Sequence, residues 1–138
     1  MSGEKNLIKL ISSMEPVLGD DEYVFATLET YDYKQLTLLE PISTFQEKEG
    51  LTVILTKEKA NKFNILYSGV FKCITLNVYS SLDAVGLTAA VATKLTQSNI
   101  SANVVAAYYH DHVFIADKDA EQALIKLNEL TQQGIENS

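Results

Sequence analysis

The sequence predicts an α+β protein built from two β-α-β-β-α units in tandem, each with an antiparallel sheet and helices on one face. Along the chain, segments in which every second residue is apolar are followed by segments in which apolar residues recur at helical spacing. Residues 70–133 follow the order strand, helix, strand, strand, helix. Residues 22–68 follow the same order, with one ambiguous segment at the first helix and a further strand at the end. This order is that of two ferredoxin-like folds, and we divide the chain into units 1–68 and 69–138.

The elements of the first half are predicted from apolar periodicity and turn residues. A short amphipathic helix over 4–14 ends at Pro16 and Gly19. The segment 29–41 is compatible with a loop or with a short helix. The remaining predicted elements are strands at 22–28, 42–48 and 51–56, a helix at 57–63 capped by Thr56, and one bent strand or a pair of strands over 65–79 around Gly69.

The second half has clearer patterns. Leu87, Val91 and Leu95 recur every four residues and predict a helix over 84–98. The unit runs out of chain before its last strand, so an early strand such as 22–28, or another subunit, must complete its sheet edge. The other predicted elements are strands at 102–109 and 112–116, with Val113 and Ile115 facing the core and Phe114 facing away, and a helix at 118–133 capped by Asp117.

Composition excludes several classes of function. The net charge is −7, and all 11 basic residues are scattered lysines, so the clustered basic surface and the arginines of a nucleic-acid-binding protein are missing. No apolar run approaches the ~20 residues of a membrane span, and the first residues do not form a signal peptide. We therefore expect a soluble cytoplasmic protein that binds neither nucleic acid nor membrane. Cys73 is expected to be a small buried apolar residue.

The two histidines, His110 and His112, flank Asp111 and raise the question of an enzyme. Histidines at i and i+2 on a strand share a face and could reach one metal ion. A catalytic zinc site takes three protein ligands and an open position, however, and the chain has no third histidine. A hairpin turn over 109–112 explains the same residues, because aspartate tolerates left-handed backbone. We expect no catalytic residue, metal or cofactor, and keep a metal-dependent enzyme as the less favoured alternative.

The second half of the chain resembles the ACT domain, the small ligand-binding module of amino-acid-regulated enzymes. The matching stretches are "CITLNVYS", "SSLDAVG", "LTAAVATKL", "NISANVVAAYY" and "HVFIADKDAEQAL". With "EPISTFQEKEGLTVIL" in the middle, the whole chain is similar to the stand-alone tandem ACT proteins of bacteria and to the ACT pairs of aspartate kinases. The first half departs from the pattern in its first strand-to-helix segment, so we do not carry a ligand site over to it.

The resemblance implies a ligand site at the strand-to-helix turn of the second unit. In ACT domains this turn offers backbone N–H groups to the carboxylate of a small metabolite, often an amino acid. A helix N-terminus has unsatisfied N–H groups and a partial positive charge, and a glycine lets the backbone come close. The turn residues are Asp83, Ala84, Val85, Gly86 and Leu87, of which Asp83 could instead bind a ligand ammonium group.

Asn103 completes the predicted site, because ACT domains similar to those of aspartate kinases often place a polar residue there and an amide both donates and accepts. Two alternatives remain at these positions. Ser80 and Asp83 have the spacing of a capping box and could merely cap the helix, with Gly86 only packing. Asn103 could bond to nearby backbone.

The resemblance implies a regulatory, non-catalytic protein that binds a small molecule and forms a homodimer or a larger oligomer. Tyr108 and Tyr109 would suit an interface with a second ACT unit. The remaining alternative is a paired-domain adaptor that binds no ligand.

Overall fold

The computed structural model describes residues 6–81 and 84–137. The helices and strands follow an α+β order with antiparallel sheets, which confirms the predicted fold class. In chain order the elements are α1 (Leu7–Ser13), β1 (Pro16–Leu18), β2 (Tyr23–Leu28), α2 (Tyr33–Leu39), β3 (Ser43–Gln46), β4 (Leu51–Thr56), α3 (Lys57–Lys62), β5 (Phe71–Leu76), α4 (Leu87–Thr96), β6 (Asn103–Ala106), β7 (Asp111–Ala116) and α5 (Ala120–Glu136).

The described chain forms two compact units, one of which is not continuous in sequence. The first unit holds residues 21–71, and the second holds the residues up to 20 together with those from 72 onward. The reason lies in the buried Leu10 of helix α1 and in Met14, which follows that helix, because both belong to the same apolar core as residues of α4, α5 and the strands of the second unit. The N-terminal segment therefore contributes its core residues to the second unit, although the sequence division assigned it to the first.

In the first unit, β4 lies between β3 and β2, and both pairs are antiparallel. Phe71, the first residue of β5, pairs with Tyr23 of β2. The ambiguous segment 29–41 forms helix α2. The buried core consists of Val24, Leu28, Leu39, Leu51, Val53, Leu55 and Ala60.

Side-chain caps begin both helices of the first unit. The backbone N–H of Gln35 donates to the Asp32 carboxylate at 2.8 Å, which caps α2. The N–H of Lys59 donates to the Thr56 hydroxyl at 3.2 Å, which confirms Thr56 as the cap of α3.

In the second unit the strand order is β1-β5-β7-β6. The strand that completes the sheet is β1, which pairs antiparallel with β5, with Pro16 opposite Leu76 and Leu18 opposite Ile74. The strand 22–28, suggested for this place, pairs with β5 at one position only, Tyr23 opposite Phe71, and otherwise pairs with β4. The sequence signal was misleading because Pro16 and Gly19 were interpreted only as the end of a helix, whereas proline is also tolerated at the start of an edge strand.

Val113 and Ile115 belong to the buried core of the second unit as expected, whereas Phe114 does not belong to that core, although it is only 2% exposed. Two local predictions need correction. The strand predicted over 65–79 is limited to Phe71–Leu76. Asp117 does not cap the last helix, because Asp117–Asp119 forms a 3-10 turn and α5 starts after it without a side-chain cap.

Candidate ligand site at the β5–α4 turn

Helix α4 begins later than predicted, at Leu87 rather than at residue 84, and its N-cap is Gly86. Leu87, Val91 and Leu95 are buried at every fourth residue and hold the helix against the sheet. Gly86 has a φ of 103°, a left-handed conformation that favours glycine. Because this N-cap has no side chain, it cannot accept hydrogen bonds from the N–H groups of the first helical turn.

A cavity of about 170 Å³ lies at this helix N-terminus. One wall is the turn and the start of α4, and the other is the β6–β7 hairpin, which contributes Ala106 and Asp111. These two hairpin residues are paired with each other across the strands. The turn side is formed by Ser80, Ser81, Ala84, Gly86, Leu87 and Thr88.

The predicted site residues are distributed unevenly around this cavity. Ala84, Gly86 and Leu87 line it, whereas Val85 belongs to the same turn but is 83% exposed. Asn103 does not line it, and its side-chain amide donates to the Phe114 backbone carbonyl at 3.2 Å, across the hairpin. Asp83 lies outside the described residues, and with it the predicted capping box.

Asp111 is the residue of the cavity that the sequence analysis missed. It was assigned to the turn, but it is the first residue of β7. The missed signal is the alternation of the strand, since Asp111 shares a face with Val113 and Ile115. Those two residues are fully buried in the core, which also contains residues of α4 and α5. A carboxylate at this position is therefore directed to the helix side of the sheet.

Burial raises the pKa of the Asp111 carboxyl, while the neighbouring charges of His112 and His110 lower it in part. Among the residues that the structure describes, Asp111 has no ion-pair partner. None of the lysines in the described ranges lines the cavity. Within residues 6–81 and 84–137, the half-buried Asp111 carboxylate therefore has no fixed counter-ion.

The hairpin turn lies two residues earlier than predicted. Ala107 N–H donates to the His110 carbonyl at 3.1 Å, so Tyr108 and Tyr109 are the central residues of the turn. Their rings contact each other at a centroid distance of 4.9 Å, and the Tyr79 ring lies 5.4 Å from that of Tyr109, tilted by 54°. Tyr108 and Tyr109 are each 61% exposed, so this tyrosine cluster forms an aromatic surface on the second unit.

Both histidines are held by contacts outside the hairpin. His110 Nδ1 lies 3.3 Å from the Val78 carbonyl oxygen, and His112 Nδ1 lies 2.9 Å from the Thr75 hydroxyl. Burial lowers the pKa of His112. Within residues 6–81 and 84–137, no group of three or more histidine, cysteine or acidic side chains is placed to hold a metal ion.

The chain matches two family models, both described as "ACT domain", one over residues 2–72 and one over residues 70–129. No curated protein matches it. Among the described residues, no helix is both long enough and apolar enough to cross a membrane.

Three solved structures illustrate the similarity. A protein of unknown function from Vibrio cholerae, described as a possible transport protein, is 50% identical with a TM-score of 0.82, over 92% of this chain and 97% of that one. A protein from Agrobacterium tumefaciens is 16% identical with a TM-score of 0.69, over 86% and 89% of the two chains. The ligand-free regulatory subunit of aspartate kinase from Thermus thermophilus is 11% identical with a TM-score of 0.64, over 86% and 96%. The last two show a shared fold.

Proposed function

Because the chain belongs to the ACT-domain family, we propose that it is a non-catalytic regulatory module that binds an amino acid at the β5–α4 turn. The observation that carries this proposal is the cavity of about 170 Å³ at the N-terminus of α4. Such a volume is below the size of drug-binding pockets and suits a small metabolite. The same cavity would therefore select ligands by size as well as by charge.

The physical basis is the first turn of α4. Its N–H groups and the positive end of the helix dipole favour an anionic group, and the N-cap Gly86 leaves room for one. We assign the ligand carboxylate to the N–H groups of Val85, Gly86 and Leu87. Asp83 and Asn103 remain predicted ligand-binding residues, and Asn103 would have to release the Phe114 carbonyl to take part.

Binding would act by biasing how ACT units pack, with no chemical step. We expect the chain to work in the cytoplasm as a homodimer or a larger assembly. The exposed tyrosine cluster supports association, because tyrosine is enriched at protein interfaces.

The tyrosine cluster also favours the second candidate function, an adaptor that binds partners but no metabolite. It predicts the same fold and the same association. The two candidates differ in whether a small molecule stabilises the protein. The metal-enzyme alternative is weaker, because each histidine has a contact within the second unit.

A thermal-shift screen against the twenty standard amino acids tests the proposal, since a ligand that binds the folded state raises the Tm in a concentration-dependent way. Thr88→Asp supplies the site-specific variant, because Thr88 is exposed and lines the cavity. Its new carboxylate suits the first turn of a helix and would repel the ligand carboxylate. We expect the variant to keep its Tm and to lose the ligand-induced shift.

The matched control is Thr93→Asp, which adds the same charge at an exposed position of α4 that does not line this cavity. It should keep the ligand-induced shift. An absence of any shift in the unmodified protein, even at millimolar amino acid, would favour the adaptor. An equal shift in Thr88→Asp would contradict the assigned site.

A Gly86→Val variant would be a poor test of the site. Gly86 has a left-handed φ, and a Cβ there would lie 3.0 Å from Leu7 Cδ2, so a loss of binding could follow from local strain. Thr88→Asp avoids both effects.

A further inference from the structure

The cavity at the β5–α4 turn has two chemically different walls. The helix wall presents the N–H groups at the start of α4, which attract negative charge. The hairpin wall presents the side chain of Asp111, which carries negative charge when ionised. A ligand that satisfies both walls must have an anionic end and a cationic end.

The position of Asp111 follows from the fold rather than from a flexible loop. It is the first residue of β7 and pairs with Ala106 of β6. Its side chain is on the same face of the strand as that of Val113. Because Val113 is fully buried, the direction of that face is fixed. The carboxylate is thus held at the cavity by two paired strands, which makes it a pre-organised group.

Among the described residues, no fixed cation neutralises Asp111. The described groups that interact electrostatically with it are His110, which precedes β7, and His112, on the opposite face of the strand. Both use their Nδ1 atoms elsewhere, toward the Val78 carbonyl and the Thr75 hydroxyl. A partly desolvated carboxylate is costly unless it is paired, and a ligand cation would relieve that cost.

We propose that Asp111 binds the ammonium group of an α-amino acid whose carboxylate lies at the N-terminus of α4. This inference rests on the proposed function and narrows the class of ligand, because the ligand must have a free α-amino group. Carboxylic acids of the same shape that lack the amino group leave the partly desolvated Asp111 carboxylate without a cationic partner. They are rejected for that reason.

The test is isothermal titration calorimetry with the amino acid that gives the largest thermal shift, compared with the 2-hydroxy acid that has the same side chain. We expect the unmodified protein to bind the amino acid about tenfold to a hundredfold more tightly, as for other hydrogen bonds to charged groups. Asp111→Asn keeps the shape of the side chain but loses the charge. It should weaken amino-acid binding by a similar factor and remove most of the preference over the hydroxy acid.

The control is Asp117→Asn, which removes one exposed carboxylate just beyond the other end of β7. It should leave both affinities unchanged. Equal affinities for the two ligands, or an unchanged preference in Asp111→Asn, would overturn the role of Asp111 and leave the proposed function standing. If no amino acid binds the unmodified protein, the proposed function itself fails, and the role of Asp111 fails with it.

Discussion

At the scale of single residues, Asp111 links the stability of the second unit to its ligand site. Burial raises its pKa in the free protein. The folded state therefore holds the proton more tightly than the unfolded chain does. Ionisation weakens the folded state as the pH rises from the ordinary aspartate value through the raised one. Binding sites commonly contain groups that destabilise the protein when no ligand is bound.

The raised pKa of Asp111 therefore predicts how a substitution at this position changes the stability of the protein. Asp111→Asn should have a higher Tm than the unmodified protein at pH 7 without ligand, because the variant has no carboxylate to ionise at this partly buried position. The difference should shrink at pH about 3, where aspartate is largely protonated. Differential scanning calorimetry at both pH values measures it, with Asp117→Asn as the control. A lower Tm for Asp111→Asn at pH 7 would show that the free carboxylate stabilises the fold.

Several single residues could be predicted and others could not. Gly86 was singled out for close backbone approach, but the predicted helix began before it, so its left-handed conformation at the N-cap was not anticipated. The hairpin turn was misplaced by two residues, since Tyr108 and Tyr109 are typical of strands and gave no turn signal. Asp111 was then counted as a turn residue, and its place on the core side of β7 was missed.

At the scale of elements, helix α1 is fixed on α5 by close packing. The Thr131 hydroxyl donates to the Met14 carbonyl at 3.1 Å. A Cβ at Gly134 would lie 2.7 Å from Ile11 Cγ2 and 3.0 Å from the backbone nitrogen of Ser12. Gly134 thus allows the two helices to approach more closely than any larger residue would permit.

Gly134→Ala should therefore destabilise the protein, by about 1–3 kcal/mol as for other overpacked sites. The expected change in stability has the opposite sign to that of the same substitution at an exposed helix position, where alanine is favoured over glycine by about 1 kcal/mol. Urea denaturation monitored by circular dichroism measures the free energy of unfolding. Gln132→Ala, at an exposed position of the same helix, is the control. An increase in stability for Gly134→Ala would contradict the close packing of α1 on α5.

The elements with strong periodicity were predicted within a few residues. Helices α4 and α5 and strand β4 each have a regular apolar pattern. Helix α2 remained ambiguous because among its residues only Leu39 is fully buried, so its apolar pattern is weak. Strand β1 was missed because three residues are too short for a periodic signal, and its partner β5 is distant in sequence.

At the scale of the whole molecule, the two units begin their first crossover helices differently. In the first unit the Asp32 carboxylate accepts from the Gln35 N–H at 2.8 Å, which is where a ligand carboxylate would otherwise bind. In the second unit the N-cap is Gly86, which has no side chain. The first unit therefore supplies its own carboxylate, whereas the second leaves that place to a ligand.

This difference predicts one amino-acid site per chain. Calorimetric titration of the unmodified protein with the amino acid identified by the thermal-shift screen should give a stoichiometry of one ligand per chain, whatever the number of subunits. Asp32→Ala should lower stability by about 1 kcal/mol, as the loss of a helix cap does. A stoichiometry of two per chain would show that the first unit also binds.

The packing of the residues up to 20 in the second unit is the part of the molecular organisation that periodicity could not supply. The two β-α-β-β-α patterns follow one another in sequence, and so do the two family matches, which meet near residue 70. The contribution of residues up to 20 to the second unit depends on tertiary packing of Leu10 and Met14, which a local pattern does not reveal.

The proposed function requires a small amino acid to bind at the β5–α4 turn. A titration of the ¹⁵N-labelled protein, followed by ¹H–¹⁵N correlation spectra, locates the binding site. We expect the largest amide shifts on adding the amino acid in residues 84–89, at the start of α4, and in the hairpin around Asp111. Spectra in which these amides stay unchanged at saturating ligand, or in which the largest shifts fall within residues 21–71, would contradict it.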